Sequence, residues 1–335
     1  MNFNSIFITG GAGYCGSRLV PQLINEGYKV TVYDALYFGG DFLPKNEKNL
    51  TVIKGDIRNT NKLKSSCANH DVFLHLACLS NDASFELDEN FSTDVNLNCF
   101  EPMVIAAKQS GVKRFIYAST SSVYGISDKK DVTEDHPFVP LTLYNKYKGM
   151  CEPLLLKHTD ENFEGLIFRP ATVCGYAPRQ RLDLSVNILT NHAIIKNKIT
   201  VFGGKQLRPN LHIQDYCDFV KLAIKSPSEK IKNQQFNVGY QNLSIAEIAN
   251  IVKKVVSEEF KDKPEIELAF TESNDNRSYH ICSDKVKDFL DFQPKYTIED
   301  AVKELCDEFK KGTFKNTFDD DKYFNVKRLK NIQAK

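Results

Sequence analysis

A glycine-rich turn stands between the first apolar run of this chain and its first helical pattern. Ser5-Ile-Phe-Ile-Thr9 reads as a buried strand, and Gly10-Gly11-Ala12-Gly13-Tyr14-Cys15-Gly16 comes directly after it. Glycines at 10, 13 and 16 let the backbone turn tightly. They bring its N–H groups, those of Tyr14 and Cys15 included, up to an anion at the positive end of a helix. The spacing is G-x-x-G-x-x-G rather than G-x-G-x-x-G. Asp34 closes the second apolar run, where a carboxylate accepts both hydroxyls of an adenosine ribose and repels a 2′-phosphate. Turn, helix and acid in register therefore predict bound NAD rather than NADP.

Strand and helix patterns continue to alternate down the chain. Lys29–Asp34, Leu50–Lys54, Asp71–Ala77, Arg114–Thr120 and Gly165–Pro170 read as further strands. Between them Arg18–Glu26, Asn61–Ala68, Asp88–Ser110 and Tyr144–Lys157 repeat apolar residues at helical spacing, with Pro21 interrupting the first. Strands alternating with helices predict an α/β fold, a doubly wound Rossmann-type parallel sheet covered on both faces. Past residue 175 the rhythm loosens. Ser244-Ile-Ala-Glu247 opens a capped helix to about Glu259, and Thr297-Ile-Glu-Asp300 opens another that stops near Gly312. The expected organisation is an NAD-binding domain over 1–174, to which the chain returns around 208–240. A smaller C-terminal lobe takes 175–207 and 241–315, and 316–335 reads as a solvated tail.

Composition excludes several partners. The 335 residues carry 44 Lys+Arg against 43 Asp+Glu, a net charge of +1, so no broad positive field exists to collect nucleic acid. Nine cysteines without a C-x-x-C pair fit neither a disulfide framework nor a zinc ribbon. The seven histidines show no metal-ligand spacing. With no run near ~18 apolar residues and no leader-like start, the expectation is a cytoplasmic protein without a membrane span.

A second constellation carries chemistry. Tyr144-x-x-x-Lys148 sets a phenol and an ammonium on one face of a helix, where the cation favours phenolate and equips the tyrosine as a general base. Tyr323-x-x-x-Lys327 matches the same pattern but follows no strand. Tyr144 differs in lying 24 residues beyond Thr120, which ends the fifth strand on the cofactor side of the sheet.

These segments resemble the extended short-chain dehydrogenases/reductases, the NAD-dependent nucleotide-sugar epimerases and dehydratases. The resemblance runs in order through Gly10–Gly16, Asp56-Ile57, His75-Leu76-Ala77, Ser119–Gly125, Tyr144/Lys148 with Glu152, Arg169-Pro170 and Phe236–Gly239. It implies that Asp56 and Ile57 meet the adenine, and that Leu76 and Ala77 border the cofactor. Thr120 becomes the hydroxyl partner of Tyr144, and a homodimer packed through two long helices is implied as well. Arg208 and Arg277 match the family positions that grip the substrate diphosphate, for which a planar two-armed cation is suited. Asn187 is expected at that diphosphate or the adjoining ribose and Ser121 near the sugar, as is Thr172, which stands where the family carries an asparagine; Ser80-Asn81-Asp82 reads either as a sugar contact or as a turn held by its own side chains. The Arg179–Asn187 block is similar to a branch of bacterial surface-sugar oxidoreductases.

The resemblance also separates reactions. The 4,6-dehydratases follow the threonine with Asp and Glu, whereas Ser121 and Ser122 follow Thr120 here. No histidine lies between His158 and His192 to serve ring-carbon epimerisation by enolisation. Cys174 reads as a small packed side chain and His75 as structural. The implied enzyme oxidises a sugar hydroxyl, at C4, and returns the hydride as an epimerase. The alternatives are a dehydrogenase or ketoreductase with net redox change, a dehydratase or decarboxylase, and a non-catalytic nucleotide sensor.

Overall fold

The computed structural model describes residues 3–80, 88–273 and 278–334. Seven parallel strands form its centre: β1 (Ser5–Thr9), β2 (Lys29–Asp34), β3 (Leu50–Lys54), β4 (Val72–His75), β5 (Arg114–Ala118), β6 (Glu164–Pro170) and, after three intervening strands, β10 (Gln234–Val238). Their spatial order is β10-β6-β5-β4-β1-β2-β3. Because the order reverses between β1 and β4, a crevice opens beyond their carboxyl ends.

Alternation along the strands builds two cores. Ile6, Ile8, Val30, Val32, Leu74 and Ile116 face one side, against Leu19 and Leu23 of the Tyr14–Asn25 helix and Val220 of the Ile213–Lys225 helix. Phe7, Tyr33, Phe73, Phe115 and Tyr117 face the other, against Leu63, Met103 and Leu155. Both faces of the central strands are dry, as a parallel sheet covered by helices requires, while the edge strand β3 is largely exposed. Arg114, with 0% exposure, pairs with Glu164 and donates to the carbonyls of Ala223 and Ile224 at 2.7 Å each, which ties β5 and β6 to the end of a covering helix.

Beyond β6 lie β7 (Thr172–Cys174), β8 (Lys198–Phe202), β9 (Leu207–His212), β11 (Gln241–Ser244) and β12 (Glu267–Thr271). β11-β9-β7 make a small mixed sheet, and β8 pairs β12 in parallel. Helices Ser185–Lys196, Ile245–Glu259 and Ile298–Lys310 enclose a separate apolar cluster around Ile248, Val252 and Val302. The last two begin in the expected capping boxes, Ser244/Glu247 and Thr297/Asp300.

Three expectations are corrected. The first helix starts at Tyr14, four residues before the apolar spacing becomes visible, because Gly13 serves as its N-cap. The run expected as one helix over Asp88–Ser110 is broken into Glu89–Thr93, a π-helical turn Asp94–Asn98, and Phe100–Gln109. That turn aims Asn96 at Leu79, whose backbone N–H and carbonyl it holds at 2.9 and 3.0 Å. The third correction concerns the tail, which docks on the rest of the chain through a few buried side chains while its charged residues stay partly or fully exposed. Tyr323 is 3% and Leu329 5% exposed, and a short helix, Asn325–Asn331, lies across the front of the crevice. Apolar anchors in an otherwise charged segment bury only once a partner surface exists, so local composition alone points the wrong way.

Among the described residues no helix is long and apolar enough to cross a membrane, and no group of three His, Cys, Asp or Glu could hold a metal ion. All nine cysteines are free thiols.

Candidate active site

A cavity of about 520 Å³ occupies the crevice at the order reversal. Its floor is the glycine turn. Gly10 adopts φ +75°, and a Cβ there would stand 2.5 Å from the Ala77 nitrogen in the loop after β4. Gly16 faces the backbone of Gly11 so closely that a Cβ would overlap its carbonyl. Gly11, absent from the expected set, is equally constrained, since a Cβ would meet Val32 at 2.7 Å. Gly16→Ala is accordingly expected to cost about 1–3 kcal/mol of stability through overpacking. It should also weaken NAD binding, checked by urea unfolding and calorimetry.

Asp34 sits at the end of β2, where its Oδ2 accepts from the Ala12 N–H at 3.0 Å and its Oδ1 from the Leu36 N–H at 2.8 Å. Burial pushes its carboxyl up, against the pull of those amides. Asp56 is clamped by Arg58, which holds its carboxyl below the usual carboxylate range in spite of partial burial. Gly10, Gly13, Tyr14, Cys15, Gly16, Asp34, Asp56, Ile57, Leu76 and Ala77 all line the one cavity. A glycine floor too tight for side chains, an opening helix N-terminus and a carboxylate at the end of β2 fit an NAD molecule. Tyr14 would serve through its backbone, because its hydroxyl donates to the Gly175 carbonyl at 2.6 Å and braces the wall.

Thr120, Tyr144 and Lys148 line the same cavity. Helix Leu143–Leu156 starts at a Thr142 cap and carries both Tyr144 and Lys148. Lys148 is 4% exposed; its ammonium donates to the Ala118 carbonyl at the end of β5 and lies 4.5 Å from the centre of the Tyr117 ring. Thr120 caps the 3₁₀ turn Ser121–Tyr124, and its Oγ1 stands 2.9 Å from Ser122 Oγ. Ser122 in turn donates to Asn145 Oδ1. Asn145 is absent from the expected set, although it adjoins Tyr144 in sequence and lines the cavity.

Beneath these groups runs a buried polar network. Glu152 accepts from Ser119 Oγ at 2.6 Å and from Arg169 Nε and Nη2 at 3.0 and 2.6 Å. Arg169 continues to the Tyr124 hydroxyl, which donates to Asn237 Oδ1 at 2.7 Å. One carboxylate thus joins the ends of β5 and β6 to the helix that carries the tyrosine and lysine. His75 hydrogen-bonds Thr9 at 2.7 Å and stacks on Tyr117, and burial holds its pKa well below the ordinary value. It stays neutral and structural.

The substrate-side residues divide. Ser121, Thr172 and Arg208 line the cavity, Arg208 lying 5.2 Å over the Tyr279 ring. Ser80 also lines it, but its hydroxyl is engaged by Arg181 and Asn325. Asn187 is a correction: it is 0% exposed, and its amide holds Gly175, Tyr14 and the Arg181 carbonyl, all groups of the protein. It braces the wall rather than facing a ligand. Arg277, with Asn81 and Asp82, lies outside the described residues. The second tyrosine–lysine pair is away from the cavity, with Tyr323 buried against Phe314 and Leu182.

Further wall residues outside the expected set include Arg179, Arg181, Asp183, Asn325 and Leu329. The clustering of five of nine arginines between 169 and 277 is their one sequence signal. Nothing local marks Asn325 or Leu329, which arrive from the C-terminal helix.

A doubly wound sheet, a glycine-floored crevice and a tyrosine–lysine helix beside a strand-end threonine define a dinucleotide-dependent short-chain dehydrogenase/reductase. The model of the NAD-dependent epimerase/dehydratase family matches residues 6–239, and the chain belongs to that family, an enzyme of the extended branch that uses NAD. It is 25% identical over 317 residues to a UDP-glucose 4-epimerase of Rhizobium meliloti, covering 89% of this chain and 94% of that protein. Against a UDP-N-acetyl-alpha-D-glucosaminuronate decarboxylase of Bacillus cytotoxicus the identity is 27% over 327 residues, covering 90% and 97%. The structure of a UDP-glucose 4-epimerase from Thermotoga maritima with UDP-glucose superposes with a TM-score of 0.82 at 24% identity, over 92% of this chain and all of that one.

Proposed function

We propose that the protein is a nucleotide-sugar epimerase that oxidises a sugar hydroxyl, at C4, and reduces it again on the opposite face. The observation that carries this reading is the wall around Tyr144. Thr120, Tyr144 and Lys148 share the cavity with the dinucleotide cradle, and the positions after Thr120 are hydroxyls, Ser121 and Ser122. Bound NAD supplies a hydride acceptor and, on return, a hydride donor. Tyr144 takes the hydroxyl proton as phenolate and gives it back, with the Lys148 ammonium stabilising the negative charge. Thr120, tied to Ser122 and through it to Asn145, fixes the hydroxyl that the phenolate addresses. Ser122 occupies a place where water elimination needs a carboxyl acid, so dehydration is disfavoured. Full-length relatives that are UDP-glucose 4-epimerases support the same reading. Arg208 faces the substrate diphosphate, with Arg277 as its expected partner, in a cytoplasmic homodimer.

The test is a panel of UDP-, dTDP-, GDP- and CDP-sugars, following NADH absorbance and product NMR together. The expected result is inversion at C4 with no net NADH. Stoichiometric NADH would instead establish a dehydrogenase, and a 6-deoxy-4-keto product a dehydratase. A mass loss of carbon dioxide would mark a decarboxylase.

A further inference from the structure

Arg179 and Arg181 lie in the connection between β7 and helix Ser185–Lys196, and both line the cavity. Arg179 is 2% and Arg181 7% exposed. Their charges are compensated unequally. Arg181 donates through Nε to Asp183 at 2.8 Å and through Nη1 to Ser80 Oγ at 3.0 Å. Arg179 donates through Nη2 to the neutral Asn325 Oδ1 at 2.6 Å, and its guanidinium lies 3.7 Å from the centre of the Phe38 ring. Among the described residues no carboxylate pairs with it. Arg179 Nε and Arg181 Nη2 are buried donors without any hydrogen-bond partner. Burial, with the adjacent Arg181 charge, draws Arg179 down to about 9. A buried guanidinium in this condition calls for an anion, since an uncompensated buried charge is strongly unfavourable.

The position says which anion. The Arg179 N–H donates to Ser17 Oγ at 3.1 Å, inside the first turn of the helix that Gly13 opens. Phe38, under the guanidinium, belongs to the loop that follows Asp34. Arg179 therefore stands between the glycine turn and the ribose carboxylate, where the two halves of a dinucleotide are joined.

We propose that Arg179, backed by Arg181, grips the diphosphate of the bound dinucleotide together with the glycine-turn amides, and that Asn325 of the C-terminal helix positions the Arg179 fork. The inference rests on the family's use of NAD and is independent of the sugar reaction catalysed. A guanidinium suits the role because two parallel N–H groups can meet phosphate oxygens.

The readout is binding to cofactor-stripped protein, by calorimetry with NAD and, separately, with UDP, dTDP, GDP and CDP. Arg179→Gln is expected to weaken NAD about 10- to 100-fold, the scale of a lost charge-assisted pair. The nucleoside diphosphate that binds best should stay within about two-fold. Arg179→Lys keeps the charge without the fork and should fall between the two. Asn325→Ala should reproduce a smaller part of the NAD loss. NAD affinity unchanged in the folded Arg179 variants overturns the proposal. A loss confined to the nucleoside diphosphate also overturns it, since the grip would then be on the substrate.

Discussion

Tyr144→Phe is expected to lower kcat by about 10²- to 10⁴-fold, the range typical of a lost general acid–base group. NAD affinity should stay within a few-fold. The phenylalanine keeps the ring that packs in the cavity wall and removes only the oxygen that exchanges the proton. The substitution leaves in place the contact of Lys148 with the Ala118 carbonyl and the Thr120–Ser122–Asn145 chain. Stopped turnover with intact cofactor binding therefore isolates proton transfer. A near-normal rate would remove Tyr144 from the mechanism and reopen the sensor alternative.

Glu152→Ala is expected to destabilise the protein by about 3–5 kcal/mol, because it leaves the buried Arg169 guanidinium without its carboxylate. Urea unfolding would show this as a lowered midpoint at unchanged slope. Activity should fall as well in the protein that remains folded, since the carboxylate also holds Ser119, the neighbour of Thr120. The double replacement Glu152→Leu with Arg169→Met should recover much of the stability, as apolar pairs of similar volume often do. It should not recover the rate, because the tether to Ser119 is still missing. Rate recovery in the double variant would mean that the network supports folding alone.

Where the chain is legible from its residues, local signals and tertiary structure agree. Apolar runs bounded by helical spacing place β1 to β6 within a residue or two, since a central parallel strand buried on both faces is apolar along most of its length. Gly10, Gly16 and Asp34 are legible because their roles require a residue type at a fixed offset from a strand end. The π-turn at Asp94–Asn98 leaves no such mark: the residues read as ordinary helix, and the contact that accompanies the turn, Asn96 with Leu79, is a tertiary one. Asn187 misleads because a polar residue in a family-like block suggests a ligand contact. In the fold it satisfies the buried Gly175 N–H and the Arg181 carbonyl. The arginine cluster is visible as a count, but which members stand beside the glycine turn depends on a chain reversal after β7 that no periodicity announces.

The C-terminal helix gives the cavity one wall from far along the chain. Arg328 donates to the Tyr37 carbonyl at 2.8 Å, Leu329 packs with Leu79 and Phe91, and Asn325 reaches Arg179 and Ser80. The helix lies some three hundred positions from the glycine turn at the other end of the sequence. Contacts of such separation form late, because the loops they close must first lose their freedom. A dinucleotide in the cavity would bridge the glycine turn and the Asn325–Asn331 helix, so its binding free energy would add to the stability of the form in which the two are docked.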